Sequence, residues 1–157
     1  VALVSLLPDF DFIPGLIIGE PNWLHRGVSH SFGFAVLLSL VIFILERQLR
    51  SNASPRIFLW FFILYSLHII VDYFGADTRY PYGQPMFWPI LDDFLMFRPP
   101  LFWDIQRSSE LAEFFPSLFR RHNLIAMSIE IGFAGILAGS LFVVRHALRK
   151  GGFLRGK

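Results

Sequence analysis

An all-α, polytopic membrane protein is the fold class this sequence predicts, with three to four transmembrane helices and a metal site at one membrane face. Three observations carry it. Hydrophobic residues make up 54% of the 157 and charged residues only 17%, with 19 phenylalanines. Soluble domains carry about a quarter charged, and a chain this short cannot bury so much apolar surface, so part of it must face lipid. Second, three stretches are almost free of charge: 31–45, 57–71 (one His) and 124–144 (one Glu). Third, most of the conspicuous polar residues cluster at the ends of those stretches rather than within them.

Taken in order, residues 1–7 are apolar and run straight into Pro8, which predicts the tail of a helix that begins before this sequence. They show neither the basic stretch nor the small-residue cleavage site of a signal peptide. Pro8 and Pro14 bracket Asp9 and Asp11, predicting an irregular, extended segment there. A bilayer crossing takes about 20 apolar residues, with a range of roughly 17–25. Stretch 124–144 meets that. The first two reach it only by extending back through Ser29 and His30, and forward through Asp72 to Phe74. Two buried helices of a soluble bundle are the alternative, but their flanks lack the amphipathic pattern such helices show.

The connector 46–56 carries three Arg and ends at Pro55, a residue suited to a helix start, and its shortness predicts an antiparallel hairpin. Residues 145–157 hold five Lys or Arg and no acid. By the positive-inside rule both basic stretches are cytoplasmic, although Arg120 and Arg121 run against that orientation. The long segment 72–123 then lies on the opposite face. Its prolines and aromatics suit the membrane interface, and 108–119 predicts a short interfacial helix capped by Ser109. Residues 1–157 read as a single membrane-embedded domain. Cysteine is absent, which rules out disulfides and thiolate metal sites. A net charge of +2, with no basic tract interleaved with aromatics, argues against nucleic acid as a partner.

This topology gathers distant residues into one layer. Asp9 and Asp11 close the first segment, His25 and His30 precede the second helix, and His68 and Asp72 end the third. His68 and Asp72 are four apart, so on a helix they share a face and can grip one ion or bridge two; a His–Asp bond that only packs helices is the bland alternative. In an extended stretch Asp9 and Asp11 point the same way, and two acids so placed repel unless a cation sits between them; taken alone they fit a solvated loop better. Gly27 permits a tight turn and Ser29 a cap that places His30 in a first helical turn, so His25 and His30 can approach one site from two sides. Arg26 is a candidate for an anionic substrate group, or for a lipid headgroup or a salt bridge.

The pattern resembles the YdjM-type membrane-bound metal-dependent hydrolases. The motifs are LeuProAspPheAsp at 7–11, HisArgGlyValSerHisSer at 25–31, HisIleIleValAsp at 68–72 and GlyGlnProMetPheTrpPro at 83–89. Ser29 stands where that family usually has Thr, which keeps the hydroxyl. The family is distantly similar to zinc-dependent phospholipase C and to single-strand nucleases of the same fold. The resemblance implies phosphoester hydrolysis, with a lipid among the candidate substrates, in a prokaryotic inner membrane. It also implies a further His on a preceding helix. Glu130, with His122 two turns before it, is the one other acid set among apolar residues that could serve as a ligand or as a polar helix contact.

The reading is therefore metal-assisted hydrolysis, with Asp9, Asp11, His25, His30, His68 and Asp72 as ligand candidates. The divalent ion is zinc first, with manganese or magnesium as alternatives. Asp9 or Asp11 is the candidate general base, and Arg26 steadies developing negative charge. Membrane lipid is the expected partner, and the site faces the outer side. The rival readings are a non-enzymatic protein that binds or moves divalent metal, and a purely structural membrane protein.

Overall fold

The apolar stretches form helices slightly longer than their uncharged cores. The computed structural model of the protein describes residues 2–50 and 54–150, so Val1, part of the connector and the basic tail beyond Lys150 lie outside the described residues. Two 3-10 segments, Ala2–Leu6 and Pro8–Asp11, lead into helix α1, Phe12–Ile18. A third 3-10 turn, Val28–His30, precedes α2, Phe32–Leu49. Then follow α3, Arg56–Phe74, α4, Leu111–Leu118, and α5, Arg121–Lys150. The described residues contain no strand, only two isolated bridges, Gly75 with Phe102 and Gln84 with Leu95.

Local chemistry explains the boundaries and corrects three expectations. Pro8 sits at the start of its turn, where its fixed φ is already helical and its missing N–H has no partner to lose. The chain therefore winds at 7–11 rather than extending, and Pro14 is absorbed in the first turn of α1 for the same reason. α1 stops at Gly19, whose φ of +83° is left-handed, a conformation glycine adopts without strain. The cap of α2 is Ser31, not Ser29: its hydroxyl accepts the Phe34 N–H at 3.1 Å. At α4 the capping position is Glu110 with no side-chain cap, because the Ser109 hydroxyl faces Asn22 and Arg79 instead.

α2 and α3 pack side by side, and the 3-10 segment Ala2–Leu6 lies against α3. Between them sits a small core of Val4, Ala35, Tyr65, Ile69 and Met86. The outward surfaces are apolar: on α5, Ile136 is 73% exposed. α2, α3 and 121–148 of α5 are long and apolar enough to cross a membrane. Eighteen and nineteen residues at about 1.5 Å each rise about 27–28 Å, close to the roughly 30 Å hydrocarbon core of a bilayer.

The long segment between α3 and α4 is irregular but tied down. Gln84, fully buried, donates to the Ile69 carbonyl at 2.6 Å. The Phe32 N–H donates to the Met86 carbonyl, and the Phe97 and Leu101 N–H groups donate to the carbonyls of Tyr73 and Phe74. Buried Asn123, in the first turn of α5, accepts the Gln106 N–H and donates to the carbonyls of Gln106 and Ser117. One side chain thereby clamps the loop and α4 to α5.

The loop rides so close to α2 that a Cβ on Gly33 would collide with the Trp88 carbonyl and the Pro89 ring. Gly33→Ala should therefore destabilise the protein by about 1–3 kcal/mol, read as a lower thermal midpoint in detergent. An unchanged midpoint would mean that the loop does not pack as described.

Candidate metal centre

The last turn of α3, the 25–31 turn and the 3-10 segment at 8–11 meet at one end of the α2–α3 hairpin. His68 and Asp72 share a face of α3, with His68 Nε2 3.6 Å from Asp72 Oδ2. The 3-10 turn before α2 carries His30 to the same carboxylate, its Nε2 3.3 Å away. Asp9 completes the group from the other side, its Oδ1 3.6 Å from His68 Nε2. One ligand atom from each of Asp9, His30, His68 and Asp72 lies within 4.8 Å of the others.

The fit to a metal ion can be tested on these distances. Spacings of 3.3–3.6 Å are longer than an ordinary N–H···O hydrogen bond of about 2.7–3.2 Å. These three of the six spacings are close to the roughly 3.4 Å between ligand atoms that surround one ion tetrahedrally at about 2.0–2.1 Å, and the full set, within 4.8 Å, would draw in on binding one. His68 Nε2 is also buried and has no hydrogen-bond partner among the described residues, a costly state unless something else fills the space. Two imidazoles and two carboxylates suit zinc, with manganese also served by such a set.

Of the residues singled out from the sequence, the structure brings these four together and places the others around them. Because the chain winds at 8–11, Asp9 and Asp11 face different ways: the Asp9 side chain is 53% exposed and the Asp11 side chain is buried. Asp11 accepts the Arg26 N–H at 2.9 Å and stands 3.5 Å from His30 Nδ1. Burial raises its carboxyl to about 6, against the lowering effect of His30 and Arg107. His25 is turned away from the group. One ring nitrogen is engaged by the Arg107 guanidinium, and Nε2 lies 3.9 Å from Asp77. Burial first, then the positive charge of Arg107 and Arg26, lowers its imidazole to about 2, so it is neutral. Glu130 lines the adjoining cavity outside the group of four. His122 bonds Asp104 and stacks on Trp103.

Arg26 stands at the centre of the polar contacts. Its Nε is 3.6 Å from Asp72 and its Nη1 3.7 Å from Asp77. It also holds a φ of +48°, a left-handed conformation uncommon for a side chain of this size. The Asp11 carboxylate on its N–H helps to hold it there. Asp77, Arg79 and Arg107 belong to the site but were not singled out from the sequence. Their signal was weak: they lie on a loop without periodicity, and only their membrane side pointed to them. Asp77 is fixed by the N–H groups of Arg79 and Gly83, each at 3.0 Å. Arg107 is largely buried, which lowers its pKa from the usual arginine range.

Fold and site together define a helical membrane protein with a potential metal-binding group of two histidines and two aspartates at the end of a helical hairpin. A model of the YdjM inner membrane protein family matches residues 1–148, and the chain belongs to that family. No curated protein and no solved structure matches the chain.

The 25–31 turn is held on α3 by the Tyr65 hydroxyl, which donates to the Ser29 carbonyl at 2.8 Å from a buried ring. Tyr65→Phe should lower stability by about 1–2 kcal/mol, a drop of roughly 2–8 °C in thermal midpoint for a chain this size. If the variant melts with the parent, that hydrogen bond does not hold the turn.

Proposed function

We propose that this protein is a membrane-bound, metal-dependent hydrolase of a phosphoester, with Asp9, His30, His68 and Asp72 holding a divalent ion. The observation that carries the reading is the convergence of those four ligand atoms around a buried His68 nitrogen with no partner. Held there, a divalent cation would supply Lewis acidity toward a phosphoryl oxygen and a water activated near neutral pH.

The chain's own residues take the remaining roles. The Ser29 hydroxyl, 3.1 Å from His30 Nδ1, and Asp11, 3.5 Å from the same nitrogen, orient the ring, the usual task of outer partners beside a metal-bound histidine. Asp9, half out in solvent, is the better placed of the two acids to exchange a proton with water. Arg26 presents a buried Nη1 without a hydrogen-bond partner and steadies negative charge on the phosphoryl group. The basic residues of 46–56 and 145–157 put the opposite, site-bearing end on the outer side of the inner membrane. A conduction path would place its ligands near the bilayer midplane on broken helices. Here they sit at the end of a hairpin whose helices are continuous.

Elemental analysis of the purified protein tests the metal. The parent should carry near-stoichiometric zinc or manganese, and His68→Ala and Asp72→Ala should each weaken metal affinity about tenfold or more while staying folded. A parent without metal, even after incubation with zinc and manganese, would remove the hydrolase reading. The loaded parent should also cleave bis(p-nitrophenyl) phosphate. Arg26→Gln should lower kcat/KM by about 10²–10³ with metal content intact; unaltered kinetics would take Arg26 out of the mechanism.

A further inference from the structure

Beside the four ligand residues opens a cavity of about 570 Å³. Its walls differ in chemistry. One wall is cationic, with Arg79 and Arg107. Neither guanidinium has a carboxylate within 4 Å among the described residues, unlike Arg26, which faces Asp72 and Asp77. Arg107 meets the His25 ring, and its buried Nε has no hydrogen-bond partner. Arg79 meets the Arg107 carbonyl and, at 3.4 Å, the Ser109 hydroxyl. The nearby Asp104 does not neutralise them, since its carboxylate is engaged by Thr78 and His122. Arg107 is balanced only at longer range, by Asp11 and Asp9, and two guanidinium groups with no carboxylate in direct contact beside a cavity leave room for an anion to join them. The planar fork of arginine matches the oxygens of a phosphate.

A second part of the lining is apolar. α4 contributes Phe114 and Leu118, Phe119 follows, and α5 adds Leu124 and Met127. Leu124 and Met127 are three apart, on one face of α5. Phe119 is 72% exposed and Met127 46%, so this wall reaches the outer surface of a helix long and apolar enough to span a membrane, with Glu130 the one acid on that face of α5 among the cavity-lining residues. The cavity has the volume of a small-ligand site. That accommodates a headgroup, while acyl chains leave along α5.

We propose that Arg79 and Arg107 form a second anion subsite beside the metal-ligand group, and that the substrate is a lipid whose headgroup carries two phosphate-like anions. The proposal rests on the phosphohydrolase reading: one phosphate meets the ligand cluster and Arg26, and the other meets Arg79 and Arg107. A polar chain joins the two places, from Asp72 through Arg26 and Asp77 to His25 and Arg107.

Binding separates the possibilities. Purified full-length protein in a neutral detergent is titrated calorimetrically with three probes. Short-chain phosphatidylglycerol phosphate has two phosphates and two chains. Short-chain phosphatidylglycerol has one phosphate and two chains. Glycerol 1,3-bisphosphate has two phosphates and no chains. The parent should bind the first about tenfold or more tighter than either of the others. Arg79→Gln and Arg107→Gln should each bring the ratio between the two lipids close to one, with metal content equal to that of the parent. If Arg107→Gln does not fold, Arg79→Gln decides alone. A parent that does not distinguish the two lipids, or a preference that survives in the folded variants, overturns the subsite. Equal binding of glycerol 1,3-bisphosphate overturns the lipid part and points to a soluble bisphosphate. Loss of metal from the parent would defeat the hydrolase reading alone, because the ratio between the lipids is still measured.

Discussion

Every part of the polar end of this molecule leans on the carboxylate of Asp72. It sits in the last turn of α3, where a helix reaches spanning length only by including it, and three groups from different segments approach the same oxygen: His30, His68 and Arg26. Only His68 comes from the same helix. His30 arrives on the turn before α2 and Arg26 from the strained residue that opens that turn. A carboxylate taken from water needs compensating charge and hydrogen bonds. His30, His68 and Arg26 surround that oxygen at 3.3–3.6 Å, and their meeting there ties the 25–31 turn to the end of α3.

The second constraint is the backbone of the long irregular segment. Irregular chain beside a membrane must still satisfy its N–H and C=O groups. It does so here by bonding to the frayed end of α3 and through buried side chains. Gln84 takes a helix carbonyl, Asp77 takes two N–H groups, and Asn123 closes both sides of its own loop. These polar clamps let a segment without secondary structure present Asp77, Arg79 and Arg107 at defined positions.

Positions on regular helices were legible from sequence, and so was their meeting at one end. A hydrophobic run shows a helix, a basic connector shows a hairpin, and i, i+4 spacing puts His68 beside Asp72 whatever the surroundings. Side-chain direction in the irregular segments was not legible. Whether Asp9 and Asp11 point together depends on extended or wound backbone, and prolines are compatible with both. His25 and His30 are five apart across a turn. Which of them reaches the cluster was decided by the 3-10 winding of Val28–His30 and by Asp77 and Arg107 on the far side of His25. Partners supplied by an aperiodic loop leave no pattern along the chain. The three expected helices stand, while the caps at Ser29 and Ser109 gave way to Ser31 and to an uncapped α4, because the Ser29 hydroxyl pairs with His30 Nδ1 at 3.1 Å and the Ser109 hydroxyl with Asn22 and Arg79.

The unequal lengths of the long helices have a consequence for where the bilayer lies. At 28 residues the apolar part of α5 rises about 42 Å, far more than α2 or α3, and such hydrophobic mismatch is commonly absorbed by tilt. Here the excess is spoken for. Leu124, Met127 and Glu130, three residues apart in succession, line the cavity, so the first turns of α5 serve as its wall. The remaining stretch, 131–148, is eighteen residues, the same as α2. With the wall set aside, the three spans match one another in length to within one residue, and a bilayer fitted to that length would have Glu130 and Asp72 near one headgroup plane. In a bilayer so fitted, the cavity would open level with the lipid headgroups, within reach of a molecule moving sideways in the leaflet.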